Sequence, residues 1–269
     1  MELRLALAQT GYPQDGDVLA QAETYVKKAH AEHANILAFP EYYMCSHACD
    51  PQELRAIAQS IDGDFARSMA SLAQQHGLFI AYTMIEKNPL GELPYNTSVL
   101  VNPQGGVLSH YRKCHLYDAH AVRESGYLGA GDLMPQVART PFGDICLAIC
   151  YDLRFPEVAR VAALQGCDLM IFPAAWYDGP HKAGHWQTLL RARAIENEMF
   201  VAGVCRAGQE FVGGSLIADP LGTVITESAH GVEESKAEKL VVCTIDMTAV
   251  KKAREAMPVL EHRRPELYR

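Results

Sequence analysis

Ile145-Cys-Leu-Ala-Ile-Cys150-Tyr-Asp-Leu-Arg-Phe-Pro156 is the stretch that decides the fold. Its first half is an unbroken apolar run, the pattern of a strand buried on both faces, and its second half reaches a proline that opens a helical pattern. A strand that passes directly into a helix is the building unit of an α/β sheet. In such sheets ligands bind at the carboxyl ends of the strands, where a sharp turn projects a side chain and offers the next backbone N–H to an anion. Cys150 occupies that place. On position alone a buried, inert thiol competes with a nucleophile, because free cysteine is among the most buried residue types.

Working outward, apolar runs rich in β-branched and aromatic residues predict strands over residues 3–9, 36–40, 78–85, 97–101, 145–150, 169–173, 200–205 and 240–245. Val18, Ala22, Val26 and Ala29 share one helical face, and Phe65, Met69, Leu72 and Ala73 share another; further helices follow Pro156 and cover residues 186–197. Closely spaced strands over residues 78–116 add antiparallel neighbours, so the sheet is mixed and layered with helices. Asn35-Ile-Leu-Ala-Phe-Pro40 and Cys167-Asp-Leu-Met-Ile-Phe-Pro173 echo one another. Packing alone makes buried strands alike, so the echo does not establish a repeat.

With 269 residues the chain is near the upper size for one hydrophobic core, and a single domain over residues 1–269 is expected. Hydrophobic residues make up 49% and charged residues 21%, the balance of an ordinary globular fold. Lys+Arg 24 against Asp+Glu 32 gives a net charge of -8 without a basic stripe, which excludes nucleic acid and anionic membrane surfaces as partners. The first residues alternate charged and apolar side chains and do not form a secretory signal, and no apolar run nears the roughly 20 residues that cross a bilayer. A cytoplasmic protein with reduced thiols is expected from its 8 cysteines. The sequon Asn96-Thr97-Ser98 has no bearing in that compartment. Residues 227–239 are the most polar stretch and predict a solvated loop, and the charged tail beyond Pro258 lies on the surface.

Two other strand ends give Cys150 its partners. Phe39-Pro40-Glu41 places a carboxylate after an apolar run, and Tyr111-Arg-Lys113-Cys-His-Leu116 places an ammonium in another. Together with the segment around Cys150, these resemble the three signature segments of the nitrilase superfamily of carbon-nitrogen hydrolases, in that family's order. His185-Trp-Gln-Thr-Leu-Leu-Arg-Ala-Arg-Ala-Ile-Glu-Asn197 and Gly214-Ser-Leu-Ile-Ala-Asp-Pro-Leu-Gly222 extend the resemblance over nearly the whole chain. It implies an α-β-β-α sandwich, with Glu41 as general base and acid, Lys113 as stabiliser of the tetrahedral intermediate and Cys150 as nucleophile.

The chemistry is coherent. An amide carbon is a weak electrophile and needs a thiolate, an oxyanion site and a proton donor. A free thiol titrates near pH 8.5, about, and a neighbouring ammonium lowers it, so Lys113 is expected to favour the thiolate while Glu41 takes the proton. The Tyr151 N–H joins Lys113 in holding the oxyanion. Glu124, in the region where amidases of the family carry a second glutamate, is assigned a positioning role, with an exposed loop carboxylate as the competing reading. Arg154 either reads a carboxylate on the substrate or holds Glu157 or another loop; its planar fork suits a carboxylate. Ala175 and Trp176 are expected to line the pocket.

The resemblance is to amidases acting on carboxylate-bearing amides, so the expected substrate is a small aliphatic or omega-amide. Nitrile or N-carbamoyl hydrolysis by the same three residues, or a non-catalytic binding protein of the same fold, remain open. A homodimer is implied through the helix after Pro156 and the one containing residues 192–197. Gly213-Gly-Ser-Leu-Ile lacks the second glycine of a serine nucleophile elbow. Gly126-Tyr-Leu-Gly129-Ala-Gly131 lacks the Lys-Ser/Thr of a phosphate loop and predicts a turn. Cys45, His47 and Cys49, or His181 and His185, have no matching second half, so neither a metal nor another cofactor is expected.

Overall fold

The computed structural model describes residues 1–228 and 234–267. The chain builds strands β1 (Glu2–Gln9), β2 (Ile36–Ala38), β3 (Phe79–Glu86), β4 (Tyr95–Val101) and β5 (Val107–Arg112), then β6 (Ala138–Thr140), β7 (Gly143–Leu147), β8 (Leu169–Ala174), β9 (Phe200–Cys205), β10 (Leu216–Ala218) and β11 (Val224–Glu227). A last strand, β12 (Lys239–Asp246), returns to the first sheet beside β1. Helices α1 (Val18–Ala31), α2 (Pro51–Ile57), α3 (Asp64–His76), α4 (Pro156–Leu164) and α5 (Lys182–Asn197) lie between them, and α6 (Thr248–Ala256) follows β12.

The two six-stranded sheets run β12-β1-β2-β3-β4-β5 and β11-β10-β9-β8-β7-β6. In the first, β12 and β1 are antiparallel, β1, β2 and β3 are parallel, and β4 and β5 are antiparallel additions. Starting from β6, the second sheet repeats that order: β6–β7 antiparallel, β7–β8–β9 parallel, β10 and β11 antiparallel. The echo between residues 35–40 and 167–173 therefore marks equivalent central strands, β2 and β8.

Alternation along β1 sets the layers. Leu3, Leu5 and Leu7 face a core shared with Ile145, Leu147, Leu169 and Ile171 of the second sheet, while Ala6 and Ala8 face Val26 of α1 and the Phe65 and Met69 side of α3. On the outer face of the second sheet, Val158 and Ala162 of α4 and Trp186, Leu190 and Ala194 of α5 are buried in the same core. The result is the expected α-β-β-α sandwich. Asp17 caps α1, its carboxylate accepting the Ala20 N–H at 2.9 Å, and Gly77 ends α3 at φ 67°, a left-handed turn that glycine takes without steric cost.

The structure departs from the sequence reading where elements are short. Helix α2 and strands β6, β10 and β11 carry too few residues for a period to show, and α6, which buries only Val250 and Ala253, lies in the charged C-terminal part of the chain. The strand expected over residues 145–150 ends at Leu147, because Cys150 opens a 3-10 turn, Cys150–Arg154, at φ 45°. Of the expected solvated loop 227–239, residues 229–233 lie outside the described residues. The remainder is partly tethered: the Ser235 carbonyl accepts the Gly214 N–H at 3.0 Å, and Lys236 pairs with Asp178 at 2.6 Å. Among the described residues no helix is long and apolar enough to cross a membrane.

Candidate active site

Both sheets contribute strand ends to one cleft. Glu41 follows β2 and Lys113 follows β5, from the first sheet; Cys150 follows β7, and Ala175 and Trp176 follow β8, from the second. Glu124 comes from the 3-10 turn Glu124–Gly126 between β5 and β6. These six residues, with Tyr151 and Arg154, line a cleft of about 450 Å³ including its open mouth. All eight positions singled out in the sequence are thus brought together.

Glu41 is fixed from three directions. Its Oε1 accepts hydrogen bonds from Asn96 Nδ2 and Lys113 Nζ, each at 2.9 Å, and its Oε2 accepts the Ala175 N–H at 2.8 Å. The Arg206 guanidinium, itself buried, donates to the Glu41 and Tyr42 carbonyls. Asn96 is fully buried on β4, so the apparent sequon is an internal strut that no glycan can reach. Neither Asn96 nor Arg206 carried a signal in the sequence beyond lying at a strand position and a strand end.

Glu124 is a buried group and not an exposed loop carboxylate: it is 2% exposed and sits 2.9 Å from Lys113 Nζ. It also accepts the Tyr42 hydroxyl and the Tyr117 N–H, each at 2.6 Å. Burial alone would pull the Lys113 ammonium down, yet the Glu124 and Glu41 carboxylates on either side hold it well above its ordinary range. Lys113 has three N–H donors, and the two carboxylates engage two. The third is left for a ligand.

Cys150 differs from expectation in its resting charge. Burial pushes its thiol well above the ordinary range, the Glu41 carboxylate pushes it further, and Lys113 only opposes this. Burial and the carboxylates together outweigh one ammonium, so the resting group is a neutral thiol beside Glu41. Its φ of 45° lies in the left-handed region that residues with a Cβ rarely adopt.

That turn is held by its surroundings. Fully buried Asp152 accepts the Ile149 N–H at 3.0 Å and binds His115, two residues beyond Lys113, through both its backbone N–H at 3.1 Å and its Nδ1 at 2.7 Å. From α5, Arg193 donates twice to the Leu153 carbonyl. The first N–H groups of such a turn have no acceptor within it, and Tyr151, the second residue of the turn, lines the cleft.

The rim is aromatic and cationic. The Arg154 guanidinium lies over the Trp176 ring at 4.7 Å and makes no ion pair among the described residues, so it does not hold Glu157. Lys182, absent from the sequence reading, reaches the same rim, with its ammonium 3.3 Å from the Tyr117 hydroxyl and 6.0 Å from the Trp176 ring. A lysine opening a helix has no distinguishing pattern in sequence; only the fold places it here.

Comparison with known proteins agrees with this arrangement. Residues 4–255 match the carbon-nitrogen hydrolase family. The deaminated glutathione amidase of Mus musculus is 32% identical over 82% of this chain and 71% of its own, and the omega-amidase of the same species is 31% identical over 98% and 96%. A solved variant of the amidase from Nesterenkonia sp. AN1, showing covalent addition of the acetamide moiety of fluoroacetamide at its active site cysteine, is 27% identical and superposes with a TM-score of 0.81 over 99% of this chain and 95% of that one. With a match spanning nearly its whole length and a cleft built from the strand ends of both sheets, this chain belongs to the carbon-nitrogen hydrolase family.

Proposed function

We propose that the protein hydrolyses a small amide to a carboxylic acid and ammonia through a thioester on Cys150. The observation that carries this reading is the placement of the buried Cys150 in one cleft with Glu41, a carboxylate fixed by Asn96, Lys113 and Ala175. Because the thiol rests neutral, the proton passes to Glu41 as sulfur attacks the amide carbon, and no standing thiolate is required. Negative charge then develops on the carbonyl oxygen, where the third Lys113 donor and the Tyr151 N–H receive it; one such donor is worth about 3 to 4 kcal/mol. Collapse breaks the carbon-nitrogen bond, and Glu41 returns the proton to the departing ammonia. Water, deprotonated by the same carboxylate, then attacks the thioester and releases the acid.

The substrate we favour carries a carboxylate of its own. Arg154 lines the cleft without a carboxylate partner among the described residues, with Lys182 beside it, and a guanidinium fork matches a carboxylate in two parallel hydrogen bonds. Its relatives include enzymes named omega-amidase and deaminated glutathione amidase. The test is ammonia release from a panel of omega-amides, neutral aliphatic amides and nitriles, with acid-quenched intact mass to trap the adduct. Carboxylate-bearing amides are expected to turn over fastest and to acylate Cys150; absence of both ammonia and adduct across the panel would overturn the reading.

Two further properties belong to the same proposal. The protein works in a reducing, cytoplasmic setting, in keeping with eight cysteines that are all free thiols. It pairs with a second copy through α4 and α5, where Leu164 and Ile195 are each 50% exposed. Sedimentation equilibrium returning the monomer mass at micromolar concentration would remove the dimer.

A further inference from the structure

Outside the cleft, the irregular segment between β2 and α2 carries two thiols that hydrolysis does not use. Cys45 is 2% exposed and packs with Leu54 and Ile85; Cys49 lies half-buried against the same small cluster. Cys45 stands four residues before Cys49 and both belong to that one small cluster, where each thiol acts on the ionisation of the other. One sulfur is open to small reagents and the other stands behind it. The three residues between them belong to no helix or strand, so drawing the sulfurs together breaks no backbone ladder.

We propose that Cys45 and Cys49 form a reversible oxidation site, in which a peroxide oxidises Cys49 and Cys45 closes an intramolecular disulfide. The Cys49 thiolate attacks one oxygen of hydrogen peroxide, the O–O bond breaks, and Cys49 becomes a sulfenic acid with release of hydroxide. The Cys45 sulfur then attacks the Cys49 sulfur, the S–O bond breaks, and water leaves with the Cys45 proton. In total two thiols and one peroxide give one disulfide and two waters.

The surroundings divide the labour between the two sulfurs. The Cys45 thiol, with the nearby His47 and Arg206, pulls the Cys49 thiol down to about 7, against burial and Glu53, which push it up. Cys45 is driven the other way, well above its ordinary range, by the Cys49 thiol and by burial. An accessible, acidified sulfur beside a protonated one is the pattern of a redox-sensing pair. At pH 7 about half of Cys49 is thiolate, against about one part in a hundred for a thiol at 9.0, and its weaker nucleophilicity takes back about tenfold. A net advantage of about fivefold in alkylation remains.

A divalent metal is the competing occupant, since the His47, Cys49 and Glu53 donors lie within 4.8 Å of one another. Glu53 argues against it. One oxygen meets His47 Nε2 at 2.9 Å, and the other accepts the Asp50 N–H at 2.8 Å in the capping box that starts α2. A metal would displace the imidazole and disturb a cap worth about 1 kcal/mol. His47 and Glu53 are also 59% and 44% exposed, whereas structural zinc sites are closed.

The test is peroxide treatment of the full-length protein, denaturation and alkylation of the remaining thiols, and mass analysis of the tryptic peptide between Lys28 and Arg55, which holds both cysteines. The expected result is loss of two hydrogens within that peptide, reversed by dithiothreitol. Cys45→Ser should leave a sulfenic acid on Cys49 that dimedone captures, and the milder Cys49→Ser, at the more exposed position, should keep Cys45 fully alkylatable. Iodoacetamide should label folded Cys49 at least about fivefold faster than the half-buried Cys243, whose thiol burial pushes up, with a pH midpoint near 7. Both thiols staying alkylatable at peroxide doses that oxidise Cys150 would overturn the proposal. So would one zinc per chain in elemental analysis of the wild type that is lost in Cys49→Ser.

Discussion

The two sheets share one order of parallel and antiparallel pairs, yet their strand exits do different work. By register, Leu5 on β1 corresponds to Ile145 on β7, since each pairs with the first residue of its neighbouring central strand. Thr10, five residues beyond Leu5, therefore stands where Cys150 stands five beyond Ile145. In the first half Thr10 is buried and its carbonyl accepts the Ala207 N–H at 3.0 Å, tying the two sheets together. In the second half the chain turns left-handed and presents a thiol to the cleft. The other exits are shared out in the same way: β2 ends in the Glu41 carboxylate, whereas its counterpart β8 leads to the backbone N–H of Ala175 that holds it. The scaffold supplies two equivalent rims, and chemistry arises where unlike contributions from the two face each other.

The largest expected effect breaks that pairing at the nucleophile. Cys150→Ala should lower kcat by a factor on the order of 10⁴ or more, leaving only what positioning gives. Adding Thr10→Cys to it should restore nothing, because the equivalent exit lacks the left-handed turn and faces no carboxylate-ammonium pair. Ammonia release with a sensitive coupled assay measures both. Activity returning in the double variant would mean that the scaffold, and not the asymmetry of its two rims, makes the site.

Removing the ammonium shared by the carboxylates comes next. Lys113→Met is expected to cost about 10³ in kcat through loss of an oxyanion donor, and about 3 kcal/mol or more of stability, because Glu41 and Glu124 are left buried without their counter-charge. Acid should soften the stability loss by protonating one carboxylate. Urea unfolding of the variant at pH 5 and pH 8 checks this; equal losses at both would show that the pair is not what Lys113 neutralises.

How far the sequence carried these conclusions depends on the length of the signal. The nucleophile, base and ammonium were legible because Ile149-Cys150-Tyr151, Phe39-Pro40-Glu41 and Tyr111-Arg-Lys113 resemble the family's signature segments, and the sandwich was implied by the same resemblance, in keeping with the near-continuous hydrophobic stretches of β1, β7, β8 and β9. The equivalence of β2 and β8 was visible as an echo but could not be separated from convergent packing until the strand order was known. Asn96, Tyr42, Lys182 and Arg206 were not legible: each is an ordinary polar residue whose role comes from partners 55 to 165 positions away, or from the rim where the fold happens to place it. The resting charge of Cys150 was not legible because burial, the largest influence on the thiol, is a property of the fold and not of the residues beside it in sequence.

A structural counterpart to Cys150→Ala lies one residue before Thr10. Gln9 is fully buried; its Nε2 donates to the Ser235 and Ala237 carbonyls, each at 2.7 Å, and its Oε1 accepts from the Ser215 N–H at 2.9 Å and hydroxyl at 2.8 Å. Gln9→Ala should cost about 3 kcal/mol, since it leaves buried donors and acceptors unpaired, while kcat of the folded fraction stays within about twofold. Thermal unfolding beside active-site titration separates the two quantities. A smaller effect than either concerns the rim: Arg154→Ala should raise KM about tenfold to a hundredfold for carboxylate-bearing amides and leave neutral amides unchanged. Equal weakening of both classes would exclude a carboxylate-reading role.

The smallest effect concerns the pH dependence of stability, and its sign follows from the raised thiol. In the unfolded chain Cys150 titrates near 9.0; in the folded protein burial and Glu41 hold it well above that. Between the two values the unfolded chain has released the proton and the folded protein has not, so unfolding gains stability over folding as pH rises. The contribution is fully present below pH 9, declines above it, and is gone once the folded thiol ionises. Lys113 behaves alike from its own ordinary value of 10.5 upward. Cys150→Ser removes only the first of these, because a serine hydroxyl does not titrate in that range. The wild type is therefore expected to lose thermal stability faster than Cys150→Ser between pH 8.5 and 10, by about 1 kcal/mol per pH unit at most. Parallel curves for the two proteins would mean that the folded thiol is not raised, and a wild type that gains on Cys150→Ser over this range would mean that the thiol rests ionised, so that the neutral-thiol route through Glu41 gives way to a standing thiolate paired with Lys113.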